Sequence, residues 1–413
     1  MKRLLILALS AVALVAFTVP AMAVDFDGSL RVRGENKDNT NFVENDGAAF
    51  VGQRARLTAT ANPTDDVTVK ITIQDTRTWG TTGNTTDAVS GFGPFVIENN
   101  TLDLHEAYAE ASDIMGSGVG VKFGRQEVNL GDQRLIGSIG WSNNGQSFDG
   151  WGITYTSDVV DVLLADLKIL ENGLGSNDTD LWIIQGSVKS LPIDALEVYY
   201  ISKRQGQGGF RYGGSTQVAE ETTNTFGFRA KGTFAGVTLS LEMPFQSGTV
   251  VFRDPVGDPD IDKSASAYAI TASYDFGMGK IGGQYVAATG QDASGDITAF
   301  DQLYPTGHAH LGYFDLQTWS DTASWNINVS GSLTDQLSAK FDYWSINAAE
   351  EDVNGDTDIG AEYDLTLKYA HNDALGIQLG YSSFTGGTYT ETDEGNTNLE
   401  TMHYYYLQAN AKF

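Results

Sequence analysis

Phe26-Asp-Gly-Ser-Leu-Arg-Val-Arg-Gly-Glu35 alternates residue by residue. Phe26, Gly28, Leu30 and Val32 share one face, and Asp27, Ser29, Arg31 and Arg33 share the other. A period of two marks a strand with one apolar face, whereas a helix would repeat every 3.6 residues. The pattern recurs along the chain. In residues 49–60, Val51, Ala55, Leu57 and Ala59 oppose Arg54, Arg56, Thr58 and Thr60. Next, Val67, Val69, Ile71 and Ile73 alternate with Thr68, Lys70, Thr72 and Gln74. The connections alternate too: short at 62–66, 113–118 and 235–236, long at 79–100, 127–146 and 290–320. Counted to the C-terminus, the pattern predicts eighteen strands, nine long loops and eight short turns. Long loops on one side and short turns on the other describe an outer-membrane barrel with its turns in the periplasm. An unpaired N–H or C=O in lipid costs several kcal/mol, so a membrane sheet must close on itself. The expected fold is therefore an all-β transmembrane antiparallel barrel, with long extracellular loops, short periplasmic turns and both termini periplasmic. Apolar side chains should face lipid and polar ones a water-filled lumen.

Composition agrees. The 413 residues include 47 glycines, 8 prolines and no cysteine, with glycine well above its usual share of about 7%. Without cysteine there is no disulfide, zinc finger, iron–sulfur cluster or thiol nucleophile. Lys+Arg total 25 against 53 for Asp+Glu, a formal net charge of −28, which disfavours nucleic acid as a partner. The chain is 41% hydrophobic, too apolar for an acidic disordered chain. Lys2 and Arg3, an apolar stretch over 4–17 and Ala21-Met22-Ala23 read as a secretory signal peptide over 1–23. Its apolar stretch is shorter than the ~20 residues that span a bilayer. The barrel then occupies 24–413, in the bacterial outer membrane. No Ser-centred motif stands out; Asp and Glu pairs are plentiful and leave a barrel hydrolase open as an alternative, but no enzymatic activity is expected.

Residues 402–413 alternate again, with Tyr405, Leu407, Ala409, Ala411 and Phe413 on one face. A terminal Phe after such a run resembles the signal that the barrel-assembly machinery reads. Two longer stretches are distinctive: Phe123-Gly-Arg-Gln-Glu-Val-Asn-Leu-Gly-Asp-Gln-Arg134, continuing to Trp141 and Phe148-Asp-Gly150, and Ala299-Phe-Asp-Gln-Leu-Tyr-Pro-Thr-Gly-His308, continuing to Asp315. Both, in this order, resemble signature stretches of the alginate export porin family. The resemblance covers essentially the whole chain after the signal peptide. It implies an eighteen-stranded channel that passes a polyanionic polysaccharide through an arginine-rich constriction. It also marks Phe300, Asp301, Tyr304, Pro305, His308 and Asp315 as a signature loop.

The residues permit more than one reading. Candidate pore-lining groups are Arg31, Arg33, Arg54, Arg56, Lys70, Glu106, Glu110, Arg125, Asp132, Arg134, Asp149, Arg229 and Lys231. Guanidinium forks suit carboxylates and sulfates, but the same arginines can instead brace the wall against lumen acids. Asp352, Asn354, Asp356 and Asp358 space oxygen ligands as a calcium loop does. However, Thr357 occupies the glycine position and Tyr363 the place of the closing Glu, so a solvated loop is the plainer reading and no cofactor is expected. His308 and His310 are read as loop anchors rather than metal ligands. The third and seventh loops, which carry the two signatures, are expected to fold inward. Three functions follow: a channel for anionic solutes or an exported polyuronate-like polysaccharide, a less selective or cation-preferring porin, or a structural barrel partner of an envelope complex. Lipid and lipopolysaccharide are the expected surroundings.

Overall fold

The computed structural model describes residues 24–80, 101–171, 178–206, 211–212, 216–252, 260–395 and 398–413. The signal-peptide reading over 1–23 lies outside them. The first strands are β1 (Val24–Asp38), β2 (Ala48–Thr64), β3 (Val67–Thr78), β4 (Thr101–Ala111), β5 (Val119–Gln126) and β6 (Phe148–Thr156). Then come β7 (Val160–Leu170), β8 (Thr179–Val188), β9 (Ala195–Gln205), the two-residue β10 (Arg211–Tyr212), β11 (Thr216–Phe234), β12 (Val237–Phe252) and β13 (Ile261–Asp275). The remainder are β14 (Gly279–Ala288), β15 (Thr322–Ser332), β16 (Leu337–Asn347), β17 (Asp358–Asn372), β18 (Leu375–Gly386) and β19 (Met402–Lys412). β10 pairs only with β11, within a loop. The other eighteen strands form one antiparallel ring in which each pairs with its chain neighbours and β19 closes on β1. Closure leaves no edge, the condition lipid imposes. The nine loops and eight turns fall where the alternation places them.

The outward face is apolar. Ile153, Ile184, Leu239, Ile270, Ile327 and Leu365 are exposed on it. Aromatic residues flank this band: Trp151, Trp182, Phe226 and Tyr405 toward the loop ends, and Phe234, Tyr274, Tyr369 and Phe413 toward the turn ends. Such girdles sit at the membrane–water interfaces. At the closing seam, Phe413 and Gly28 exchange backbone hydrogen bonds of 2.8 and 3.0 Å. The Phe413 ring lies where a Cβ on residue 28 would project, so Gly28 supplies the room the terminal ring needs.

Part of the lumen wall departs from the polar lining expected of it. On β7, β8 and β9 the inward residues Leu167, Leu181, Ile183 and Ile201 are buried, while Trp182, Ile184 and Val198 face outward. Both faces are apolar because the inward one is covered by Leu130, Leu135, Ile136, Phe300 and Leu303 of the inserted loops, in one hydrophobic cluster. Burying each large side chain contributes about 1.5–3 kcal/mol, enough to hold a loop inside a water-filled barrel.

Candidate functional site

The third loop, 127–147, leaves β5 and crosses the lumen. On the far side Arg134 donates to Gln284 of β14 at 2.7 Å and pairs with Asp132 at 3.1 Å. β5 and β14 lie eight of the ring's eighteen steps apart, nearly opposite each other. The loop then returns beneath β1–β3. Arg31 donates to the Gly140 carbonyl at 2.8 Å and through Nε to Asn143 at 3.0 Å. Arg33 donates to the Trp141 carbonyl at 2.9 Å, and Arg54 to the Ser142 carbonyl at 3.1 Å. Arg56 bonds Gln74 at 2.7 Å and reaches Glu127 at 3.3 Å. These four side chains come together because Arg31 and Arg54 are cross-strand partners and Arg33 and Arg56 continue the same inward faces. A β-bulge in β4 turns both His105 and Glu106 inward, and His105 meets Glu127 at 2.6 Å.

The seventh loop, 289–321, packs on the third through a parallel bridge between Ile136 and Tyr304. Its Asp301 carboxylate pairs with Lys203 of β9 and accepts the Leu303 amide at 2.8 Å. Burial alone would raise the Asp301 carboxyl, but the Lys203 ammonium and the Leu303 amide outweigh it and hold the group below the usual aspartate range. Gln246 of β12 donates to the Asp301 carbonyl at 2.6 Å and accepts its amide at 2.9 Å. His310 bonds the Asp132 carbonyl at 3.0 Å through Nε2, which therefore carries the proton. Burial, with Arg134 alongside, pushes this imidazole down to about 3, so it is neutral at physiological pH. Further along, the Tyr313 and Phe314 amides donate to Glu362 of β17.

Where the loops meet β1 and β19, five groups stack. The Arg33 guanidinium lies 4.0 Å from the Trp141 ring centre. His308 stacks on Trp141 at 4.1 Å, Tyr313 on His308 at 4.7 Å, and Tyr406 meets Trp141 edge-on at 5.0 Å. A desolvated cation–π contact is worth about 2 kcal/mol, and Arg33 is almost fully buried. His308 also pairs with Asp315 at 2.8 Å.

The other candidates are dispersed. Lys70 and Glu106 pair at 2.7 Å, and Arg229 bonds Glu197 at 2.8 Å. Glu110 faces Lys122 across β4–β5. Lys231 is exposed on the inward face of β11, toward its turn end. Arg125 and Asp149 require correction. They pair with each other at 2.7 Å and share the outward face with Phe123 and Trp151, so Asp149 does not line the lumen, and Arg125 reaches only a cavity at the end of the β4–β5 pairing, beside Gln74, His105 and residues 144–147 of the third loop. Glycine at 124 and 150 obscures the parity there, since no inward side chain marks the opposite face. Asp132 and Arg134 lie on the third loop rather than on the wall. Pro305 follows Tyr304, whose amide and carbonyl bond Leu135 and Gly137. The Asp352 carboxylate accepts the Asn354 and Asp356 amides of its own turn at 2.8 Å each. Among the described residues no group of three or more His, Asp and Glu side chains is placed to hold a metal ion. Reading the sequence missed the glutamines and asparagines that clamp the loops: Gln74, Asn143, Gln246 and Gln284. Only their inward parity distinguishes the three on strands.

A family model described as alginate export matches residues 22–403. No curated protein matches the sequence. Among solved structures, OccK9 (OpdG) of Pseudomonas aeruginosa is 12% identical, with a TM-score of 0.66 over 94% of this chain and 98% of its own. A BenF-like porin from Pseudomonas fluorescens Pf-5 is 12% identical, at a TM-score of 0.63 over 94% and 98%. Pseudomonas aeruginosa OpdK, solved with vanillate, is 11% identical, at 0.61 over the same shares. At such identities the likeness establishes the fold alone: a closed eighteen-stranded antiparallel barrel.

Proposed function

The chain belongs to the alginate export family, and from that premise we propose that it is a non-enzymatic outer-membrane channel for hydrophilic, carboxylate-bearing solutes, up to an exported polyuronate-like polysaccharide. The observation that carries this reading is the cluster of inward cations around the inserted loops, interspersed with inward acids such as Glu35, Glu106 and Glu242. The chain is strongly acidic, yet Arg31, Arg33, Arg54, Arg56, Lys70 and Lys203 all point inward, around the two inserted loops. Many acids lie instead in the long loops, as at 350–352, 356–358 and 391–394.

Passage would rest on weak, repeated contacts rather than on one tight site. The arginines serve first as braces, since their forks engage the third loop's carbonyl oxygens. Their charge still biases ions nearby, within a Debye length of about 8 Å at physiological salt. The exposed terminal Phe413 suits delivery to the barrel-assembly machinery, and the aromatic girdles suit contact with lipid and lipopolysaccharide. The test is a planar bilayer with a salt gradient and added oligouronate. An anion-leaning reversal potential with oligouronate block supports the proposal. A cation-selective channel indifferent to oligouronate would favour the less selective porin instead.

A further inference from the structure

At the periplasmic end of the lumen, the inward faces of β14–β17 line an open cavity of about 450 Å³. Lys280, Lys340 and Lys368 line it with Ser330, Ser332 and Ser338. Strand register explains the grouping. Lys280 pairs with Ser330, Ser330 with Lys340, and Lys340 with Thr366. Ser332 pairs with Ser338, and Ser338 with Lys368. Two adjacent lateral rows therefore present three ammonium groups among hydroxyls. Adjacent strands lie about 4.8 Å apart and diagonal neighbours about 7–8 Å, so one multivalent ligand can reach all three.

The lysines are only partly committed. Lys280 is 3.8 Å from Asp275, which also lines the cavity, and their side chains are 60% and 53% exposed. Lys340 pairs at 2.9 Å with Asp342, which is buried beyond the lining. Among the described residues Lys368 makes no ion pair, and it is exposed. The lining thus carries three ammonium groups against one carboxylate. Farther up the same walls the charge reverses, with Asp342, Asp364 and Glu362 buried toward the seventh loop. From Lys368 the register leads sideways through Gln378 and Gln408 to Arg33. A polyanion held at the lysines therefore meets acids above it and a polar row leading to the arginines beside it.

We propose that this cluster is a periplasmic capture site for carboxylate-bearing saccharides. The ammonium groups take the carboxylates and the serines take sugar hydroxyls. Lysine suits the task because it is a hydrated point charge on a flexible stem, which releases what it holds. The inference deepens the channel reading and rests on it. It adds a place on the wall, the turn end of β14–β17, where the polyanion first engages.

The test uses channels of known orientation in planar bilayers, with a hexauronate added to one side at a time. The wild-type channel should be blocked more tightly from the periplasmic side. The triple variant K280Q/K340Q/K368Q should still give discrete KCl current steps, with a reversal potential moved toward cations, but lose that sidedness. Its periplasmic block should weaken about tenfold, the sum of three exposed charge contacts of about half a kcal/mol each. K368E alone should weaken periplasmic block and leave extracellular block unchanged. Equal block from both sides, or unchanged sidedness in both variants, overturns the capture site while leaving the channel reading intact. A folded wild-type barrel that passes no current defeats the channel reading, and the capture site with it.

Discussion

Replacing Arg31 and Arg54 together by glutamine removes two of the clamps that hold the third loop against β1 and β2. Arg31 contributes bonds to Gly140 and Asn143, and Arg54 bonds to the carbonyls of Ser142 and Gly140. A hydrogen bond from a charged donor contributes about 1.5–3 kcal/mol net. Glutamine is shorter and neutral and recovers little of this, so one such bond per site amounts to about 3 kcal/mol against the docked loop. At 1.4 kcal/mol per decade, that raises the released population roughly a hundredfold. Single-channel recordings should then show frequent excursions to a higher conductance that are rare in wild type. The reversal potential should also move toward cations, because two lumen charges are gone. The two readouts separate bracing from selectivity. A quiet channel of unchanged conductance with only a shifted reversal potential would refute the bracing argument.

Other perturbations probe other parts of the design. The depressed Asp301 carboxyl contributes docking strength that is complete above the unfolded-state value near 3.8 and is lost as pH falls through its lower folded-state value. Channel noise should therefore rise only in strongly acidic buffer, whereas Asp301→Asn should be noisy already at neutral pH; equal quietness of the two at neutral pH would contradict this. Gly28→Leu takes the space of the Phe413 ring and should lower the yield of heat-modifiable folded barrel on gels. Leu181→Ala opens the cluster beneath the inserted loops and should cost about 2–5 kcal/mol, read as a lower urea midpoint. A midpoint equal to wild type would mean that this wall does not carry the loops.

Period-two alternation made the barrel legible because lipid enforces one apolar face on nearly every strand. Loop length made the topology legible, since a two-residue turn such as 235–236 and a loop as long as 289–321 cannot be confused. The lumen was harder to read. Alternation assigns Leu167 and Leu181 to an inward face but cannot tell water from another loop as what covers it. The apolar doubling of Val162-Leu-Leu-Ala-Asp-Leu-Lys-Ile-Leu170 is the trace that such a cover exists. Local spacing also could not tell that Arg31 would engage backbone carbonyls a hundred residues away. Charge alone places Arg125 and Asp149 among the pore-lining candidates, whereas parity beside Phe123 and Trp151 turns them outward.

If this barrel conducts, its inserted loops set the width of the passage. The direct measurement is single-channel conductance of the wild-type barrel beside a variant in which residues 129–146 are replaced by a short Gly-Ser linker, both shown to be folded by heat-modifiable mobility. Discrete current steps are expected for the wild type and steps several times larger for the variant. Equal steps in the two, or a folded wild-type barrel that passes no current, would contradict this expectation.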